Sequence, residues 1–150
     1  VGKQDKEKRK EARKAVLAIY AEMPQVRCKG LCHKSCGYIP VVKAELPVFR
    51  KALRGPLKNT LPIPNGRDPN GNTIPGGLLI CGDEDLTCPA LTDDMRCSVH
   101  TSRPLICRLY GMVDNDKMKC PHGCIPERWV TDEEVGGWYD RLHRIDHGKK

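Results

Sequence analysis

Nine cysteines carry most of the chemistry available to this sequence: Cys28, Cys32, Cys36, Cys81, Cys88, Cys97, Cys107, Cys120 and Cys124. The first three are spaced Cys-x3-Cys-x3-Cys, and the last two form Cys-x3-Cys. Gaps this short let a tight turn or a half-turn of helix bring two thiolates to one metal ion or cluster. Arg27 precedes the first of these three, Lys29 and Lys34 stand between them, and cationic neighbours favour thiolate over thiol. The pattern is not that of a radical-SAM motif, in which the last gap is two residues. Cys81 closes the apolar run Leu78-Leu79-Ile80, which suits a small buried hydrophobe better than a ligand.

That leaves Cys28, Cys32, Cys36, Cys88, Cys97, Cys107, Cys120 and Cys124 as candidate metal ligands. Structural zinc takes four Cys or His ligands in a tetrahedron. A cubane iron–sulfur cluster usually takes four cysteines. Eight thiols could therefore serve two sites, or four could serve one while the rest pack inside. The cofactor expected is an iron–sulfur cluster, 4Fe–4S for preference, or zinc.

The other polar groups are weaker signals. His33 lies within the first cluster and His122 between Cys120 and Cys124. His100 follows Cys97 by three residues, and His143 and His147 stand four apart with no third ligand evident. Asp83, Glu84 and Asp85 read as a solvated acidic turn. Arg103 and Arg108 flank Cys107, where they would screen an anionic cluster, bind an anion, or enter an ion pair that fixes the loop. No Walker phosphate loop, dinucleotide fingerprint, nucleophile elbow or zinc-protease helix is present.

These residues must be positioned by a chain of 150 residues, which fits one domain. The reading is a single cysteine-cluster domain over residues 1–150. Pro and Gly number 12 and 14, a loop-rich balance, and there is one Phe. A thin core with many loops calls for a staple. A basic amphipathic helix is expected over 5–22, with Ala12, Ala15, Val16, Ile19 and Tyr20 on one face and Pro24 ending it. A short helix is expected over Pro47–Leu53. Residues 55–77 hold repeated turn dipeptides and read as an extended loop or hairpin. Leu78–Cys81 reads as a short buried strand, 97–100 as another, and a short helix starts at Pro104. Thr131 and Glu134 make a capping box for a helix over 132–146, with Trp138, Leu142 and Ile145 on one face. The fold class expected is mainly α with long irregular segments and at most a small β-sheet: a small domain stapled by metal.

The net charge of +7 is unevenly placed. Residues 25–58 carry eight Lys/Arg against one acid. The basic stretch 27–58 would suit a nucleic acid or an acidic protein partner. No segment reaches the roughly 18 apolar residues of a membrane helix, so no membrane partner is expected. Residues 1–14 lack the apolar core of a signal peptide, and the expected location is cytoplasmic, where clustered cysteines more often bind metal than form disulfides.

Three elements together carry a family resemblance: Cys88-Pro89-Ala90-Leu91, then Arg96-Cys97-Ser98-Val99-His100, then Arg103-Pro104-Leu105-Ile106-Cys107-Arg108. The sequence resembles the YkgJ-type cysteine-cluster proteins, a zinc- or iron-chelating family, over roughly residues 28–124. The family pattern is an N-terminal cysteine cluster, a Cys-Pro-x-Leu element, Cys-x-Ile-Tyr and Arg-Pro-x-x-Cys-Arg. This chain departs from it in two places. Its first gaps are three and three, with Gly37 after Cys36 where the family has a Cys-Cys pair, and Val99-His100 stands for Ile-Tyr. The resemblance implies metal binding with no defined activity. The leading expectation is a metal-binding cysteine-cluster protein whose metal holds a loop-rich fold. The alternatives are a zinc-stabilised nucleic-acid-binding module using the 27–58 surface, and a redox enzyme or accessory with an exposed iron–sulfur cluster.

Overall fold

The computed structural model describes residues 2–25, 39–53, 60–80, 90, 97, 99, 102–121 and 123–145. Among them are four α-helices, a three-stranded sheet and a two-stranded one.

Helix α1 spans Lys3–Ala21 and buries Ala12, Val16, Ile19 and Tyr20. These recur at the helical period, which is why one face leaves water. Ala15, expected on that face, is exposed. Lying three residues after Ala12 and one before Val16, it falls beyond the edge of the stripe. The chain turns at Glu22, whose backbone N–H bonds Ile19 O, and Pro24 follows.

Helix α4 spans Asp132–Arg144. Its capping box forms as the sequence predicts: Glu134 N donates to Thr131 Oγ1 at 3.2 Å, and Thr131 N donates to Glu134 Oε1 at 3.1 Å. Trp138 and Leu142 are buried, and Ile145, just past the helix, packs against the same cluster. Arg141 reaches across to Glu22 through two hydrogen bonds of 2.6 Å, tying α4 to the end of α1.

Strand β1 (Ile39–Val42) runs into a 3-10 turn (Lys43–Glu45) and then helix α2 (Leu46–Ala52), with Pro47 in its first turn. Within the turn-rich stretch, β2 (Thr60–Ile63) precedes a hairpin of β3 (Gly66–Arg67) and β4 (Thr73–Ile74). The Asp68 carboxylate closes that hairpin by accepting from the backbone N–H of Asn70 and Asn72. Strand β5 (Gly77–Ile80) lies at the centre of the larger sheet, antiparallel to β1 and β2. Ile39 and Thr60 both face Ile80 in the register. The two strands that contain proline, Pro40 and Pro62, are the edges, where a missing N–H is tolerated. Gly77 has to be glycine: a Cβ there would stand 1.9 Å from Val41 O.

Helix α3 (Leu105–Leu109) begins directly after Pro104. The strand expected over 97–100 is confined, among its described residues, to a single bridge at Cys97, and Val99 lies in a turn. Among the described residues, two apolar clusters fill the interior. One gathers Val16, Ile19 and Tyr20 of α1 with Leu105, Leu109, Trp138 and Leu142. The other lies under the sheet and joins Ile39, Val41, Leu46, Phe49, Ile80 and Val99. No helix of the described residues is long and apolar enough to cross a membrane.

Candidate metal centre

Four of the eight candidate ligands fall within the described residues: Cys97, Cys107, Cys120 and Cys124. All four are thiols rather than disulfides. Cys28, Cys32, Cys36 and Cys88 lie outside them, as do Cys81, His33, His100, His122, His147 and the acidic turn at 83–85.

Cys107 sits in α3. Its backbone N–H donates to Pro104 O at 3.0 Å, and Arg108 N–H donates to the same oxygen at 3.1 Å. Proline holds φ near the helical value and has no N–H to leave unpaired, so it suits the residue before the first turn. Cys107 is half-buried and packs, with Cys97 and Ile106, on the margin of the sheet-side cluster. Ten residues of sequence separate the two thiols, and the fold brings both to the edge of one apolar cluster.

Cys120 and Cys124 are placed by a second device. Gly123 N donates to Cys120 O at 3.3 Å, closing Cys-x3-Cys as a tight turn. Gly123 takes φ +81°, the left-handed region that favours glycine. Gly111, at the end of α3, donates to Met118 O at 2.6 Å, folding the intervening loop back. A Cβ at Gly111 would stand 3.8 Å from the Cβ of Cys120, so the Cys120 turn lies close to the C-terminal end of α3. Cys124 is buried.

Among the described residues, no three Cys, His, Asp or Glu side chains stand together as a group ready to hold a metal ion. The donor set nevertheless fits: reduced sulfur ligands are those that zinc and iron–sulfur clusters take. His143, half of the expected histidine pair, is near the Tyr139 ring, with centroids 6.3 Å apart.

The surroundings of Cys107 are polar in a way sequence spacing did not reveal. Glu45 is buried, with 1% of its surface exposed. Its Oε1 accepts from Tyr20 OH at 2.6 Å and from Leu105 N, and its Oε2 accepts from Val42 N at 3.1 Å. Burial pushes the Glu45 carboxyl above the ordinary carboxylate range, while the hydrogen bonds from Tyr20, Leu105 and Val42 pull the other way. Burial, then the Glu45 charge, drives the Tyr20 hydroxyl well above its usual value. The Arg108 guanidinium lies over the Tyr20 ring, 4.1 Å from its centroid, and Arg108 Nε donates to Arg103 O at 2.8 Å. Burial lowers the pKa of Arg108, and the charges of Glu45 and Cys107 oppose that. The sequence held one clue: Glu45 is the single acid in 25–58 and stands in a stretch from Ile39 to Phe49 that is otherwise apolar but for Lys43.

Residues 27–125 match the family model CxxCxxCC, described as "Putative zinc- or iron-chelating domain". The match covers well over half of the 150 residues, and the chain belongs to this family. Among curated proteins and solved structures, none matches the chain.

Proposed function

We propose that this chain is a cysteine-cluster metal protein of one domain, residues 1–150. Cys28, Cys32, Cys36, Cys88, Cys97, Cys107, Cys120 and Cys124 supply its ligands, and ligation holds the loop-rich segments together. The observation that carries this reading is the family match over 27–125, which encloses all eight of those cysteines. The four described cysteines form no disulfide, which supports it, and the location that goes with this reading is cytoplasmic, where thiols stay reduced. The packing of α1 against α4 across the whole length of the chain supports a single domain.

A 4Fe–4S cluster is the preferred occupant and zinc the alternative. Either would neutralise and cross-link thiolates; a cluster would add electron transfer, the chemistry of a redox enzyme or accessory. The residues of this chain would do the rest. Cys107 presents its thiol from a turn fixed by Pro104, and Cys120 and Cys124 present theirs from a turn that Gly123 permits. Anaerobic purification with metal and acid-labile sulfide analysis tests the reading. A brown protein absorbing near ~400 nm favours the cluster; a colourless protein with stoichiometric zinc favours zinc. Protein that takes up neither overturns the proposal.

A second reading draws on the exposure of Lys43, Arg50 and Lys51 within the basic 27–58 stretch. There the chain would be a zinc-stabilised module that contacts nucleic-acid phosphates. It requires an affinity that falls steeply with salt, and binding that is absent, or indifferent to salt, removes it.

A further inference from the structure

Among the described residues, Glu45 is the charged side chain that is fully buried. A buried carboxylate keeps its charge only where hydrogen bonds and cations surround it. Three donors converge on this one from three elements: the Tyr20 hydroxyl of α1, Val42 N at the end of β1, and Leu105 N at the start of α3. Leu105 N–H is one of the donors that every helix start leaves without an intrahelical partner. A single oxygen, Oε1, therefore fastens α3 to α1, across 60 and 25 residues of sequence respectively.

The same turn is gripped from its other end. Arg108 lies on the Tyr20 ring and bonds the carbonyl of Arg103. Cys107 stands between the two grips, two residues after Leu105 and one before Arg108. An apolar side chain at 45 could fill the space, but it would leave Leu105 N–H and Tyr20 OH buried and unpaired. What the carboxylate supplies is orientation.

We propose that Glu45, acting with Tyr20, is a positioning residue for the metal centre: it holds the Arg103–Arg108 turn in the placement from which Cys107 ligates. This rests on the reading that Cys107 is a ligand. Groups that orient a metal ligand commonly govern about 10–100-fold in metal affinity.

The test measures Zn²⁺ affinity by chelator competition and the thiolate-to-metal absorption of bound Co²⁺. The proteins are the unaltered chain, Glu45→Ala, Glu45→Gln, Tyr20→Phe and Val16→Ala. Glu45→Ala is expected to weaken Zn²⁺ binding by about 10–100-fold and to change the Co²⁺ spectrum. Glu45→Gln, whose Oε1 still accepts from Leu105 and Tyr20 while its amide nitrogen cannot accept from Val42 N–H, recovers part of both. Tyr20→Phe falls between, and carries the test if Glu45→Ala fails to fold. Val16→Ala opens a cavity in the same core without touching these hydrogen bonds; it lowers the melting temperature and leaves affinity and spectrum unchanged. If the unaltered chain binds metal and Glu45→Ala and Tyr20→Phe match it, the inference falls and the metal reading stands. Equal weakening by Val16→Ala also overturns it, because lost stability then accounts for the effect. No uptake by the unaltered chain overturns both.

Discussion

The cluster between α1, α3 and α4 and the cluster beneath the three-stranded sheet differ in what borders them. The first is bordered by apolar side chains such as Val113, Met118 and Tyr139. Its helices are fastened outside by ordinary devices, the Thr131–Glu134 capping box and the Arg141–Glu22 pair. The second has Cys97 and Cys107 on its margin. A thiol on the rim of a core can be a small hydrophobe or a ligand. Beside a family match to metal chelation, the ligand reading makes the sheet side the half whose order depends on something beyond packing. Glu45 sits at the seam, between Ala44 of the first cluster and Leu46 of the second.

The largest expected effect is metal removal. Chelation or acid should unfold the sheet side, because thiolate ligands must be deprotonated to bind and their loss leaves no staple. Hydrogen exchange reads this by region: β1 and β5 amides lose protection first, and α1 and α4 keep more of theirs. A metal-free protein with the same cooperative melting transition and the same protection would erase the distinction. Next comes Leu142→Ala. Leu142 is fully buried in the helical cluster, and truncation should lower stability by about 2–5 kcal/mol. Bound metal per folded chain should not change; if it drops, the two regions are not separable in this way.

Smaller still is Thr131→Ala, which removes the cap of α4 and should lower stability by about 1 kcal/mol in thermal or denaturant unfolding. A loss several times larger would mean that Thr131 supports more than the helix end. The smallest effect is a pH dependence in α4. The Arg128 guanidinium first, then Thr131 N–H, hold Glu134 down at about 2, against an ordinary 4.5. A depressed carboxylate contributes stability above its ordinary value and loses it as pH falls toward its folded one. Exchange protection of the first turn of α4 should therefore decline between pH 4.5 and about 2. Glu134→Gln should flatten that decline, and an unaltered slope would place its cause elsewhere.

The sequence made the helical region legible because its signals are local. Period-3.6 burial marks α1, and Thr131, Glu134, Trp138 and Leu142 mark α4, with boundaries two or three residues off at most. The sheet was harder. The run Leu78–Ile80 announces β5, but Pro40 and Pro62 hide β1 and β2, since edge strands admit the proline that argues against a strand. The pairings of β1 and β2 with β5 are also nonlocal. At the candidate site, cysteine types and spacings are read directly, and the packing of Cys97 and Cys107 against one apolar cluster is a tertiary fact. Glu45 was the least visible. Its partners lie 25 and 60 residues away, and an acid among basic residues reads first as surface charge.

That cysteines of the family match such as Cys107, and not Cys81, hold metal is tested by one comparison. Metal and acid-labile sulfide per chain are measured for the unaltered protein, Cys107→Ser and Cys81→Ser, purified anaerobically. Stoichiometric zinc, or iron with sulfide, is expected in the unaltered protein and in Cys81→Ser, with a sharp loss in Cys107→Ser. Full metal retention in Cys107→Ser would contradict it.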